Sequence, residues 1–196
     1  AFNITRVEME GYEADDLIAT YAKYFSDRNW IVNIISSDKD LMQLVTKNIK
    51  MLDPIKNKFI GKNEVFEKFG VYPDKVIDVQ SLAGDSTDNV PGAPGIGVKT
   101  ASMLINEFGN LDLLLDNYEK IKQNKRRESI AHNLDNIKVS RKLVTLKNDI
   151  NIDIDINSIS GNAIDKEKLT PFLEKHGFNN LKNRIDNKNN NSINTI

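Results

Sequence analysis

Residues 84–101, GDSTDNVPGAPGIGVKTA, restrict the fold more than any other stretch of the chain. Four glycines (Gly84, Gly92, Gly95, Gly97), two prolines (Pro91, Pro94) and two aspartates three apart (Asp85, Asp88) lie there between segments of helical periodicity. Glycine admits positive φ or a close approach to another molecule, and proline fixes φ, so the backbone path from 91 to 97 is specified residue by residue. After Gly97, the apolar residues Val98, Ala101, Leu104, Ile105 and Phe108 recur at helical spacing. The loop therefore delivers backbone N–H groups to a helix start, with Lys99 and Thr100 in the first turn, an arrangement suited to a phosphate oxygen.

Gly95-Ile96-Gly97 reads as the turn of a helix-hairpin-helix, a Gly-hydrophobic-Gly element that holds a nucleic-acid backbone without reading bases. Alone it is weak, because such tripeptides are common. Its weight comes from Asp85 and Asp88 a few residues away, which suggest that a metal-activated water could meet a phosphodiester there.

Two further acidic groups sit at comparable places. Glu13, Asp15 and Asp16 stand at the entrance of a helix predicted from Leu17, Ile18, Tyr21, Ala22 and Phe25 to about Arg28. They can be helix caps that complement the dipole, or a cluster held together by a cation. The apolar run Ile31 to Ile35 predicts a strand buried on both faces of a parallel sheet, and it ends in Ser36-Ser37-Asp38-Lys39-Asp40. Functional groups of open α/β sheets lie beyond the carboxyl ends of the strands, where Asp38 and Asp40 stand. Seven carboxylates sharing one site repel one another unless divalent cations compensate them, and oxygen-only ligands favour Mg²⁺ or Mn²⁺ over zinc. Two such ions about 4 Å apart can generate hydroxide and stabilise the leaving oxygen of a phosphodiester.

The remaining pattern predicts a strand over 2–9, a short helix at 41–44, a strand pair at 49–52 and 58–60, and helices at 62–69, 73–82, 98–108, 111–121, about 126–146 and 165–175. Residues 149–160 alternate Ile with Asp or Asn in a strand-like way. Beyond Asp186 the chain is Asn-rich, and the expectation is a disordered linker. Lys120, Lys122, Lys125, Arg126 and Arg127 form a basic cluster, either a solvated face or a DNA contact. His132 and His176 have no second ligand nearby and read as packing or solvent-facing residues.

Composition limits the partners. The net charge of −1 and pI of 6.2 argue mildly against a nonspecific nucleic-acid binder, unless acidic and basic residues are segregated on different faces. Without Cys there are no disulfides or thiolate zinc sites. No apolar run approaches the roughly 20 residues of a membrane span and no signal peptide is visible, so the expectation is a soluble cytoplasmic protein without a membrane partner.

GYEADDLIAT, SSDKDLMQL and GDSTDNVPGAPGIGVKTA, in that order and spacing, resemble the 5′ nuclease (5′-3′ exonuclease) domain of bacterial DNA polymerase I, in the flap endonuclease family. The similarity runs over roughly residues 1–185, including the helix around SRKLVTL. The resemblance implies an α/β, PIN-like (resolvase-like) parallel sheet flanked by helices, with a helix-hairpin-helix (H3TH) subdomain. It divides the chain into a nuclease core over 1–72, the H3TH region over 73–185 and a tail over 186–196.

The implied activity is structure-specific 5′-3′ exonuclease and flap endonuclease cleavage of DNA and RNA primers in replication and repair. Asp16, Asp38 and Asp85 are the catalytic candidates. Glu13, Asp15 and Asp16 would serve mainly a first Mg²⁺ or Mn²⁺, and Asp38, Asp40, Asp85 and Asp88 mainly a second. Gly95, Ile96, Gly97, Val98, Lys99 and Thr100 would hold a 5′-flap, nicked or branched duplex, and in relatives this turn also binds K⁺ through main-chain carbonyls. A polymerase region fused downstream is a further expectation.

In the family, a strand bearing an Asp ligand, another Asp and a basic helical arch come first; none precedes Ala1. The expectation is therefore a chain equal to the carboxyl-terminal two thirds of the domain, with two acidic ligands and the arch missing and with an exposed sheet edge. That departure motivates an alternative, a non-catalytic duplex-DNA-binding module with an incomplete metal site. A third option takes the acidic residues as caps and solvated charges.

Overall fold

The computed structural model describes residues 2–152, 159 and 163–190, the side chains of 186–190 apart. Two compact units result, one of Met9 to Ile150 and one of residues before Met9 together with those from Asn151 onward.

The larger unit begins with α1 (Ala14–Ser26), in which Leu17, Ala19, Thr20 and Ala22 are buried. It packs on β1 (Val32–Ile35). β1 pairs in parallel with β2 (Ile49–Asp53), Ile34 opposite Met51, and β2 pairs antiparallel with β3 (Lys58–Ile60). The sheet is therefore mixed, because the turn at Asp53-Pro54 folds β3 straight back: Asp53 accepts hydrogen bonds from the N–H groups of Ile55 and Lys56. A 3₁₀ turn (Asp40–Leu44) makes the crossover from β1 to β2 and buries Leu41 and Met42.

β1 is not buried on both faces as its apolar run suggested. Among the described residues it is the outer strand, so Ile34 is buried and Val32 half-buried against the core, while Ile35 is 68 % and Ile31 66 % exposed. Residues 2–8 form no strand.

α2 (Lys62–Phe69) ends at Gly70 in the left-handed conformation, φ 70°. The helical body follows: α3 (Val76–Ala83), preceded by a 3₁₀ turn (Pro73–Lys75), then α4 (Val98–Phe108) and α5 (Leu111–Asp116). α6 (Asn124–His132) and α7 (Leu134–Val144) complete it. α3 lies at its centre, packed against both α4 and α7. Its fully buried Val76, Val79 and Leu82 recur every third residue, and Leu82 alone contributes about 1.5–3 kcal/mol. Arg141 of α7 donates to both Asp112 oxygens and toward Asp78 of α3. Asp78 in turn accepts from the N–H of Leu111, so α3, α5 and α7 share one polar tie. Burial pushes the Asp78 carboxyl above its usual range, against the pull of the Leu111 N–H and Arg141.

Two predicted helices are broken by asparagine. Asn117 ends α5, its side chain donating to Leu113 O, and a 3₁₀ turn (Tyr118–Lys120) follows. Asn133, with φ −121°, separates α6 from α7 while its amide donates to Ser129 O. Asparagine offers the backbone local alternatives to helical pairing, which the apolar periodicity does not register.

In the smaller unit, Asp165 caps α8 (Lys166–Lys175), which buries Leu169 and Leu173. α8 packs on α9 (Asn179–Asn190). α9 runs through Asp186 into the Asn-rich segment, where a linker was expected. Of the strand-like stretch 149–160, residues 149–152 are not strand, and the rest but Ile159, which is helical, lie outside the described residues.

Candidate metal centre and nucleic-acid interface

The organising loop is a closed structure. Asp85 and Val90 exchange both backbone hydrogen bonds at 2.9 and 2.7 Å, Asp85 Oδ1 accepts from the N–H of Thr87, and Ala93 N–H donates to Leu82 O. This path presses two glycines together. A Cβ on Gly92 would lie 2.4 Å from the nitrogen of Gly84, and one on Gly84 would lie 2.6 Å from Val90 O. The N–H of Gly92 is buried and donates to Oγ of Ser140, which donates onward to Asn136 O. Ser140 is fully buried, so α7 fastens the loop from behind. Ser140→Ala leaves that N–H unpaired and is expected to cost about 1–3 kcal/mol, read as a shifted midpoint in urea denaturation.

Beyond Ala93 the turn faces outward. Ser129 of α6 donates to Pro94 O at 2.7 Å. Gly95, at φ +79°, and Gly97 are exposed, and a Cβ on either would meet nothing within 4 Å. Gly97, at φ −88° and with open space around it, is the N-cap of α4, and neither a strained φ nor a steric clash requires glycine there. A residue kept bare in that setting suits close approach by another molecule. Val98 and Lys99 are exposed and Thr100 half-buried at the start of α4. Ile96, by contrast, is 3 % exposed: its side chain belongs to the core and anchors the turn from within.

In the basic cluster, Arg127 is held by Ile121 O and Asn124, and Lys120 by Asn117, while Lys122 and Lys125 are exposed.

The acidic residues of the three segments sense one another. Burial, then Asp38, Asp40, Glu13 and Asp16, raise the Asp15 carboxyl above its ordinary value. Asp40 is also raised, chiefly by burial and further by Asp38 and Asp88, although a hydrogen bond from Gln80 works against the rise. Asp85 is lowered, first of all by its bond to Lys39. Glu13 stands at the N-cap of α1 but makes no capping hydrogen bond, so capping does not account for it. Asp16 accepts from the N–H of Lys147 at 2.8 Å, a tie between positions 131 apart that docks α1 on the segment after α7. Asp38 accepts from the N–H of Asp40, which fixes the bend after β1.

The donor set is oxygen alone and mutually repulsive, which fits a hard divalent cation. Among the described residues no three His, Asp or Glu side chains close on one point.

Two contributors escaped the sequence pattern. Lys39 places its ammonium on the Asp85 carboxylate, and Gln80, 6 % exposed on α3, donates to Asp40 Oδ1. Gln80 Oε1 is buried without a hydrogen-bond partner among the described residues. The position of Lys39 between two aspartates was a usable signal for the first. Nothing local marks Gln80, which reads as one more polar residue on a helix.

Comparisons with known proteins agree with this layout. Residues 1–70 match the 5′-3′ exonuclease N-terminal resolvase-like domain, and residues 71–167 match the 5′-3′ exonuclease C-terminal SAM fold. DNA polymerase I of Rhizobium leguminosarum is 49 % identical over 185 residues, 94 % of this chain but 18 % of that protein. The 5′-3′ exonuclease of Aquifex aeolicus is 37 % identical over 183 residues, 93 % of this chain and 62 % of its own length. The chain thus spans from about a fifth to about three fifths of these relatives. Among solved structures, the bacteriophage T5 flap endonuclease in a pseudo-enzyme-product complex with DNA and metal ions superposes with a TM-score of 0.65 at 25 % identity, covering 71 % of this chain and 52 % of that one. The catalytic core of Rad2 in complex with DNA shares the fold, with a TM-score of 0.52 at 21 % identity over 83 % of this chain and 56 % of that one. Among the described residues no helix is long and apolar enough to cross a membrane.

Proposed function

The chain belongs to the 5′-3′ exonuclease family, and on that premise we propose that it carries the metal-dependent hydrolytic site of a structure-specific 5′-3′ exonuclease and flap endonuclease. The observation that carries the reading is the electrostatic coupling of acidic residues from three separate segments beside an outward-facing glycine turn. Glu13, Asp15, Asp16, Asp38, Asp40, Asp85 and Asp88 are the residues assigned to hold divalent ions, with Asp16, Asp38 and Asp85 as the catalytic candidates among them. Such ions, Mg²⁺ or Mn²⁺, supply Lewis-acid activation of water and neutralise charge on the phosphodiester.

The rest falls to the chain itself. The bare backbone at Gly95 and Gly97 lets a sugar-phosphate strand come close, and the start of α4, with Lys99 and Thr100, favours its negative charge. Ile96 in the core and Ser129 on Pro94 O keep that grip rigid. K⁺ at the carbonyls of the turn, a flap or RNA-primer substrate, a fused polymerase and a cytoplasmic setting complete the reading.

A labelled 5′-flap duplex incubated with the chain and Mg²⁺ tests it. Release of the flap that stops in EDTA and in Asp38→Ala is expected; cleavage that survives Asp38→Ala belongs to a contaminant. The absence of a preformed three-carboxylate cage among the described residues favours a second reading, a duplex-binding module without chemistry. Fluorescence anisotropy separates the two: binding without cleavage supports the module, and no binding even at low salt counts against both.

A further inference from the structure

Both oxygens of Asp85 are already engaged. Oδ1 accepts from the N–H of Thr87 and Oδ2 from the ammonium of Lys39, 46 residues away. The two contacts are not equivalent. The bond to Thr87 belongs to the fold of the loop, whose Asp85 and Val90 backbones are paired, and the Asp85 side chain is only 13 % exposed. Lys39 reaches Asp85 along a flexible stem from a side chain 37 % exposed, and it can withdraw into water with little disturbance. An ion that takes Asp85 as a ligand therefore displaces the ammonium and leaves the loop intact.

The charge balance points the same way. Lys39 is attracted by Asp40 and Asp88 as well as by Asp85, so it stands among the carboxylates whose repulsion a dication would relieve. We propose that Lys39 is the built-in counter-ion of the metal-free site, holding Asp85 in place until a divalent cation displaces it and thereby setting the affinity for that cation. The inference rests on the metal-centre reading above. It makes two opposing statements about one side chain: the ammonium stabilises the protein without metal and competes with the metal when metal is present.

Calorimetric Mn²⁺ titration and thermal melting of the full chain test it, using Lys39→Met, which keeps the apolar stem, and Lys39→Arg, which keeps the charge. Lys39→Met is expected to bind Mn²⁺ about three- to tenfold more tightly than the wild type, as removal of one ion-pair competitor implies. It should also melt lower in EDTA and gain more from added Mn²⁺, while Lys39→Arg stays near the wild type. Unchanged or weaker Mn²⁺ binding by a folded Lys39→Met, with the same loss of Tm in EDTA and in Mn²⁺, overturns the role of the lysine and leaves the metal centre standing. A wild type that binds no Mn²⁺ overturns the metal centre and the counter-ion together.

Discussion

Gly92→Ala is expected to remove about 3–5 kcal/mol of stability, the sum of left-handed backbone strain and a collision that cannot relax. Gly92 sits at φ +56°, and its added Cβ would meet the backbone of Ala83 and Gly84 at 2.4–2.7 Å, with no flexible side chain to give way. The buried N–H that donates to Ser140 would shift with it. A loss of that size is a large part of the stability of an ordinary domain. It would also detach the segment carrying Asp85 and Asp88 from the end of α3. Gly97→Ala is the control. Its Cβ enters open space at an ordinary φ, so the stability change should stay under about 1 kcal/mol. Weaker binding of duplex DNA by that folded variant would show that the bareness of Gly97 serves an external strand. Equal melting of the two variants would contradict the steric account of the loop.

Asp85→Ala is expected to lower metal-dependent cleavage on the order of a thousandfold, about 4 kcal/mol of transition-state stabilisation. The fold should lose much less than the reaction does. The Lys39 ammonium moves into water, and the Thr87 N–H loses its acceptor, a loss of about 1–3 kcal/mol for a carboxylate only 13 % exposed. The loop keeps its Asp85–Val90 backbone pairing whatever the side chain. Flap cleavage rates and urea denaturation measured on one preparation separate the two effects. A large fall in stability with proportionate loss of cleavage would make Asp85 a structural residue.

The glycine loop, the helices on either side of it and the strand pair at Asp53-Pro54 were legible because turn chemistry and apolar period act locally. β1 was legible as a strand but not as an outer one, since Ile31 and Ile35 look the same in sequence whether or not a neighbour covers them. The breaks at Asn117 and Asn133 were hidden beneath a continuing apolar stripe. That the Ile96 side chain anchors the turn in the core was not read from the sequence, although an apolar residue between two bare ones is the natural anchor of a turn. At the site, the carboxylates stood out by their spacing. Their restraints did not, because the ties of Asp16 to Lys147 and of Asp85 to Lys39 join positions far apart in the chain.

The central claim is that carboxylates from three segments serve shared divalent ions beside the glycine turn, and anomalous diffraction from crystals of the chain grown with Mn²⁺ addresses it most directly. The account predicts Mn²⁺ peaks within coordination distance of Asp85 and of Asp38 or Asp40, with Asp15 or Asp16 closing the shell and the Lys39 ammonium displaced. Peaks absent from this group, or ions held singly on separate carboxylates with Lys39 still on Asp85, would contradict it.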